Sequence, residues 1–150
     1  MIDIRCYPKP TEDFKRLDDM LNDYYYNEFG ESALKYLEIN SLKNMDEFFI
    51  AYDGEDAAAI ICLNDYGEGT GELKRLFVKS EHRRKGLANY MIKHCEDIAI
   101  ERGYKRMVLE TGVDMPYALA LYEKNGYTLI ENFGNYEGDD LCCCLEKSLK

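Results

Sequence analysis

Residues 72–111 carry the pattern that most restricts the fold. GELKRLFVK (71–79) reads as a strand, with Leu73 and Phe77 on one face and Leu76 and Val78 interrupting strict alternation. From about Ala88 to Arg102 a helix follows, because Leu87, Met91, Ile92, Cys95, Ile98 and Ala99 recur at helical spacing and Gly103 then stops it. RMVLET (106–111) reads as a second, buried strand. Strand, helix and strand in this order form a unit whose crossover sets the two strands parallel. The residues before it have a different character. EFFIAYDGEDAAAIICLND (47–65) is strand, Asp-Gly turn, strand, the signature of a hairpin. The chain is therefore expected to form a mixed α/β fold of the α+β type, on a mostly antiparallel sheet with one parallel unit in its middle.

The flanks add to this outline. IDIRCY (2–7) is a first strand, and Thr11 with Asp13 opens a helix to about Tyr25, so the run Tyr24, Tyr25, Tyr26 falls where that helix ends. A second short helix is expected near Glu31–Leu37, and YGEGTG (66–71) is a loop. Pro116 starts a short helix that Gly126 stops, and YTLIEN (127–132) and LCCCLEKSL (141–149) are two closing strands flanking the sheet. With 150 residues and no repeat or linker, residues 1–150 are one domain, large enough to bury a core without disulfides or metal.

Charge and cysteine usage exclude several functions. Nineteen Lys and Arg stand against 29 Asp and Glu, a formal net charge of −10. That balance argues against nucleic acid and suits cationic small molecules or basic protein tails, although solubility alone explains it. The six cysteines contain no CxxC pair, so neither a zinc site nor a redox motif is expected. Cys142, Cys143 and Cys144 alternate faces on a strand and read as small apolar residues of a reducing compartment. His94 and Cys95, adjacent on a helix, point apart and do not form a catalytic pair. No apolar run is long enough for a membrane span, and MIDIRCYPKP lacks the features of a signal peptide, so a cytoplasmic location is expected.

Against this acidic background, Arg83, Arg84 and Lys85 stand together between a strand and a helix start, followed by Gly86, Leu87 and Ala88. A helix N-terminus offers unpaired N–H groups and partial positive charge, and small residues let phosphate oxygens approach. Neither a Walker A loop nor GxGxxG is present.

The segment from Glu72 to Gly112, followed by ALALYEKNGY, resembles the acyl-CoA core of the GNAT superfamily of N-acetyltransferases. Its motif R/Q-x-x-G-x-G/A is met by Arg83 to Ala88, and its A-x-x-L-Y-x-x-x-G-[FY] by Ala118 to Tyr127. The likeness spans about residues 47–147, leaving 1–46 to the family's variable N-terminal helices. It implies acetyl-CoA as co-substrate, with pyrophosphate on the amides of Arg84, Lys85, Gly86, Leu87, Ala88 and Asn89. The pantetheine arm would pair with the strand at Leu76, Phe77 and Val78, and the amide near Leu76 would polarise the thioester. The same likeness makes Tyr122 the acid that protonates the leaving thiolate. It makes Glu72 a possible general base, with Glu110 as the alternative. Where many members carry Asn before the downstream helix, this chain has Met115, which removes one polar contact to CoA.

Other candidates read more plainly as structure. His82 is a loop residue, and Tyr24–Tyr26 with Tyr136 either line an acceptor pocket or pack the first helix on the sheet. Acidic residues in 64–72 and 137–140 either attract an ammonium group or are solvated surface. The implied activity is an N-acetyltransferase acting on a primary amine, as monomer or homodimer. A non-catalytic acyl-CoA-binding sensor or scaffold is the alternative, and a nucleotide-binding domain of another kind lacks an acidic metal position.

Overall fold

A computed structural model describes residues 1–149. Among the described residues, seven strands form one sheet: β1 (Ile2–Tyr7), β2 (Glu47–Asp53), β3 (Asp56–Gly67), β4 (Thr70–Val78), β5 (Arg106–Gly112), β6 (Thr128–Ile130) and β7 (Cys142–Ser148). Their order across the sheet is β1-β2-β3-β4-β5-β7-β6, and only β4 and β5 run parallel. The parallel pair is the one expected from residues 72–111.

Helix α1 (Glu12–Phe29) covers one face of the sheet and α2 (Leu87–Glu101) the other. The central strands are therefore buried on both sides: Phe48, Ile50 and Tyr52 meet Phe14, Leu17 and Leu21 of α1, while Phe49 and Ala51 meet Met91, Cys95 and Ala99 of α2. This explains why β2 and β3 read as continuous apolar runs rather than alternating ones. A short helix α3 (Pro116–Lys124) follows β5.

Helix α1 starts as expected, with the Thr11 hydroxyl accepting the Phe14 N–H at 3.2 Å and Glu12 and Asp13 in the first turn. It ends later than the sequence suggested. The helix continues past Tyr25 to Phe29 and stops at Gly30, whose φ of 63° and N–H bond to the Tyr26 carbonyl close it. The three tyrosines thus sit within its final turns. The short helix beyond is a 3₁₀ segment, Gly30–Tyr36.

Two further expectations are corrected. YGEGTG is not a loop: Tyr66, Gly67, Thr70 and Gly71 belong to β3 and β4, joined by the two-residue turn Glu68–Gly69. Both turn residues have positive φ (54° and 74°), as the tight turn matching strand twist requires. Leu73 and Phe77 lie on opposite faces, because β4 holds one extra residue opposite β3 between the pairs Ile60↔Phe77 and Cys62↔Lys74. Arg75 occupies this bulge with φ of 60°. Leu76 and Val78 consequently pack on the same side as Leu73.

β4 and β5 come close at Gly71, where a Cβ would meet the Met107 sulfur at 2.8 Å and the Tyr104 ring at 2.9 Å. Gly71→Ala is expected to lower stability by about 1–3 kcal/mol through overpacking, read as a lower urea midpoint at unchanged m-value.

Candidate active site

The segment between β4 and α2 is built from backbone requirements. A 3₁₀ turn (Ser80–His82) leads into Arg83, Arg84 takes φ of 65°, and Gly86 takes φ of 76° as the residue preceding α2. No side chain caps the helix, and the first backbone bond of α2 is Tyr90 N–H to the Gly86 carbonyl. The amides from Arg84 to Asn89 therefore have no backbone partner within the described residues. The side chains of Arg84 and Lys85 beside them are exposed. Such a nest of N–H groups at a helix start is an anion site in waiting.

Arg83 has a different position from its two neighbours. Its Nε donates to the Val78 carbonyl at 3.0 Å and its guanidinium lies 5.8 Å from the Phe77 ring centre, tying the loop to the end of β4. His82, read from the sequence as a loop residue, is buried: its Nε2 lies 2.7 Å from Asp56, which also accepts from Lys79 Nζ at 2.7 Å. These contacts fasten the loop to the β2–β3 turn. The Asn89 side chain accepts from Asn125 at 2.7 Å and so holds the end of α3 against the start of α2.

Beside this loop the sheet opens. β4 pairs with β5 only at Thr70↔Arg106, Gly71↔Met107 and Glu72↔Val108. Beyond Glu72, β4 continues along β3 while β5 continues along β7 to Gly112. Lys79 N–H bonds the Ala58 carbonyl at 2.9 Å, so the alternation turns Phe77 and Lys79 towards β3 and leaves the main-chain groups of Leu76 and Val78 facing the gap. An open strand edge thus ends at a nest of free amides.

On the α1 side of the gap is a pocket of about 180 Å³. Glu110 of β5 reaches it, and Tyr25, Tyr26 and Phe29 of α1 and Met115 also line it. Burial pushes the Glu110 carboxyl above its ordinary range. Tyr122 of α3 packs edge-on against Tyr127 at 6.1 Å, and burial pushes its phenol up, with the Tyr25 and Glu110 charges adding to the shift. Tyr122, Tyr25 and Glu110 are thereby neighbours electrostatically, and the phenol keeps its proton at neutral pH.

Glu72 is also buried, and burial raises its carboxyl too, but it lines a second cavity with Asn64, Tyr66, Lys74, Phe133 and Tyr136. Lys74 donates to the Tyr136 hydroxyl at 2.8 Å, and desolvation lowers its ammonium pKa against the pull of Glu72 and Glu110. Of the aromatic candidates, Tyr25 and Tyr26 line the first pocket and Tyr136 the second, while Tyr24 rests on Tyr25 at 5.8 Å. In 137–140, Asp139 accepts from Tyr36 at 2.6 Å and pairs with Lys35 at 3.1 Å, which hold its carboxyl low. Sequence reasoning missed Arg75, whose Nε bonds Asp18 at 2.7 Å and whose Nη2 bonds Asn22 at 2.5 Å beneath the pocket. Its only trace in the sequence is the broken alternation at Leu76 and Val78. Among the described residues, no group of three His, Cys, Asp or Glu side chains is placed to hold a metal ion, and no helix is long and apolar enough to cross a membrane.

The model of the acetyltransferase (GNAT) family matches residues 14–127. The chain belongs to this family. The GNAT match is supported by relatives of similar length. The chain is 31% identical over 137 residues to the IAA acetyltransferase of Azospirillum brasilense, covering 90% of this chain and 87% of that one. It is 33% identical over 104 residues to the uncharacterized N-acetyltransferase YsnE of Bacillus subtilis, covering 68% and 69%. A GNAT acetyltransferase from Elizabethkingia anophelis with acetyl-CoA bound has the same fold, with a TM-score of 0.74, 22% identity and coverage of 99% and 98%. The chain is accordingly a GNAT acyltransferase of the N-acetyltransferase kind.

Proposed function

We propose that this GNAT protein transfers the acetyl group of acetyl-CoA to a primary amine by direct attack within a ternary complex. The observation that carries the proposal is the continuity of the open β4 edge with the unpaired amides of Arg84–Asn89. A ligand with an amide-bearing arm and a pyrophosphate fits both at once. Pyrophosphate takes the amides of Arg84, Lys85, Gly86, Leu87, Ala88 and Asn89, with charge from Arg84 and Lys85. The arm pairs with the free main-chain groups of Leu76 and with the N–H of Val78 as an added strand, the Val78 carbonyl being taken by Arg83. Arg83 holds the loop on Val78, and Phe77 supports β4 from the α1 side.

The reactive carbonyl then lies in the gap, polarised by the amide near Leu76. The acceptor enters from the α1 side as an ammonium ion and gives one proton to Glu110, becoming a neutral amine. Its nitrogen forms a bond to the carbonyl carbon, and the carbon–sulfur bond breaks as the thiolate takes the Tyr122 proton. The phenolate recovers a proton from the nitrogen, which is still positively charged after the attack, leaving the neutral amide, and Glu110 releases its own proton to solvent. Glu110 fits the base role because it shares a pocket with Tyr25 and an electrostatic neighbourhood with Tyr122. Glu72 is a second reading, favoured by its burial at the last paired residue before the gap.

Thermal unfolding with acetyl-CoA at a hundredfold over its Kd is expected to rise by about 5–10 °C, well beyond ADP or ATP. Tyr122→Phe is expected to keep this shift and lose about 10²–10⁴-fold in kcat. A Tyr122→Phe protein that binds acetyl-CoA and turns over at the parent rate would remove the acid role. A parent protein that binds acetyl-CoA and acetylates nothing would favour the sensor reading.

A further inference from the structure

The pocket around Glu110 has a lining that narrows the acceptor, given the acetyltransferase reading above. Its walls are mostly apolar: Tyr25, Tyr26 and Phe29 on one side, Leu34 and Leu37 at the lip, Met115 opposite. Four large apolar side chains stand open to water around it, Tyr26 at 50%, Leu34 at 48%, Leu37 at 49% and Leu141 at 43% exposure. Single exposed apolar residues are ordinary on a surface, but several around one concave opening mark a binding site for apolar matter.

The charges in the pocket are equally selective. Glu110 sits at the sheet and Asp114 at the exposed edge. Among the described residues, the only cationic side chain in the lining is Arg75, and its guanidinium is already occupied by Asp18 and Asn22. Among the described residues, the lining therefore holds no free cation to pair with a carboxylate. Met115, the residue that departs from the family pattern, fills in the apolar wall: its side chain lies 3.2 Å from where a Cβ on Gly112 would be.

We propose that the acceptor is a primary amine carried on a compact apolar or aromatic body and bearing no carboxylate. Its amine lies at Glu110, and its body packs against Tyr25, Tyr26 and Phe29. A free amino acid would bring its carboxylate against Glu110 and Asp114 with no cation to offset it. A polyamine would leave the apolar lip uncovered and its distal ammonium groups beside only the exposed Asp114. The net charge of −10 suggests cationic acceptors, whereas the lining of this pocket selects for the body behind the amine.

The test uses matched pairs of acceptors with the full chain and saturating acetyl-CoA. Phenylalaninamide against phenylalanine isolates the carboxylate, and 2-phenylethylamine against spermidine isolates the apolar body. In each pair the first is expected to have a kcat/KM at least about tenfold higher, since an unpaired buried polar group or an unfilled apolar wall costs that much or more. Leu37→Asp, at the exposed lip, is expected to raise the KM for 2-phenylethylamine and to narrow the gap to spermidine, with the acetyl-CoA thermal shift unchanged. A missing acetyl-CoA shift would remove the enzyme reading itself. A normal shift with phenylalanine or spermidine preferred, or with neither apolar amine accepted, would overturn the acceptor proposal alone.

Discussion

Arg75→Ala is expected to lower stability by about 3–5 kcal/mol, a fall in Tm of roughly 6–20 °C by calorimetry. The Arg75 and Asp18 side chains are 3% and 9% exposed, so removing the guanidinium leaves a carboxylate inside the protein with no partner. Burial already pushes the Asp18 carboxyl up against the pull of Arg75, which shows how costly its charge would be alone. Arg75 also sits at φ of 60°, where a side chain costs about 1–2 kcal/mol and glycine costs none. Arg75→Gly is therefore expected to be less damaging than Arg75→Ala by about 1 kcal/mol. Equal losses in the two variants would mean that the bulge relaxes when the ion pair goes. A loss below 1 kcal/mol in either would remove the ion pair as the support of the bulge.

Glu110→Gln is expected to lower kcat by about 10²–10⁴-fold while leaving the acetyl-CoA shift intact, because the amide cannot take the ammonium proton. Glu72→Gln, tested beside it, separates the two carboxylates. If Glu72→Gln carries the larger loss, the base is assigned to the wrong strand. The pH profile gives an independent reading. Burial raises the Glu110 carboxyl above 4.5, so the parent rate climbs as pH rises through that raised value and levels off above it. That acidic limb should vanish in Glu110→Gln. Stability runs the other way: for Glu110 and Glu72, the folded state binds protons more tightly than the unfolded one. Their contribution is full below about 4.5 and is lost as pH rises through the raised values. Glu110→Gln is thus expected to be at least as stable as the parent at pH 8, which distinguishes lost chemistry from lost fold.

The loop was legible in the sequence because its demands are local. Cations, a glycine at positive φ and a small residue at a helix start fall within six consecutive positions, and the apolar periods on either side mark the strand and helix. The bulge was not legible. Counting by twos assigns Leu73 and Phe77 to one face, and nothing in GELKRLFVK says where the extra residue lies; only the pairing with β3 reveals it. The choice between Glu72 and Glu110 failed to resolve for the same reason, since their surroundings depend on where β4 and β5 part. Helix α1 was read to Tyr25, although no breaker occurs before Gly30, and that shortfall hid Phe29 as pocket wall beside the tyrosines already considered for it. Those residues meet β5 across some eighty positions of chain, a distance over which composition carries no signal.

β7 lies between β5 and β6, although it follows both in the chain. During synthesis β5 can join β4, yet its other edge stays bare until residues 142–148 arrive, and β6 has no strand to join before then. β7 and the residue before it also supply Cys142 and Leu141 to the pocket that holds Glu110. A nascent chain released before that point would present the Arg83–Asn89 loop complete and the pocket around Glu110 without Leu141 and Cys142. A chain cut ahead of residue 142 would leave β5 with an unpaired edge prone to self-association.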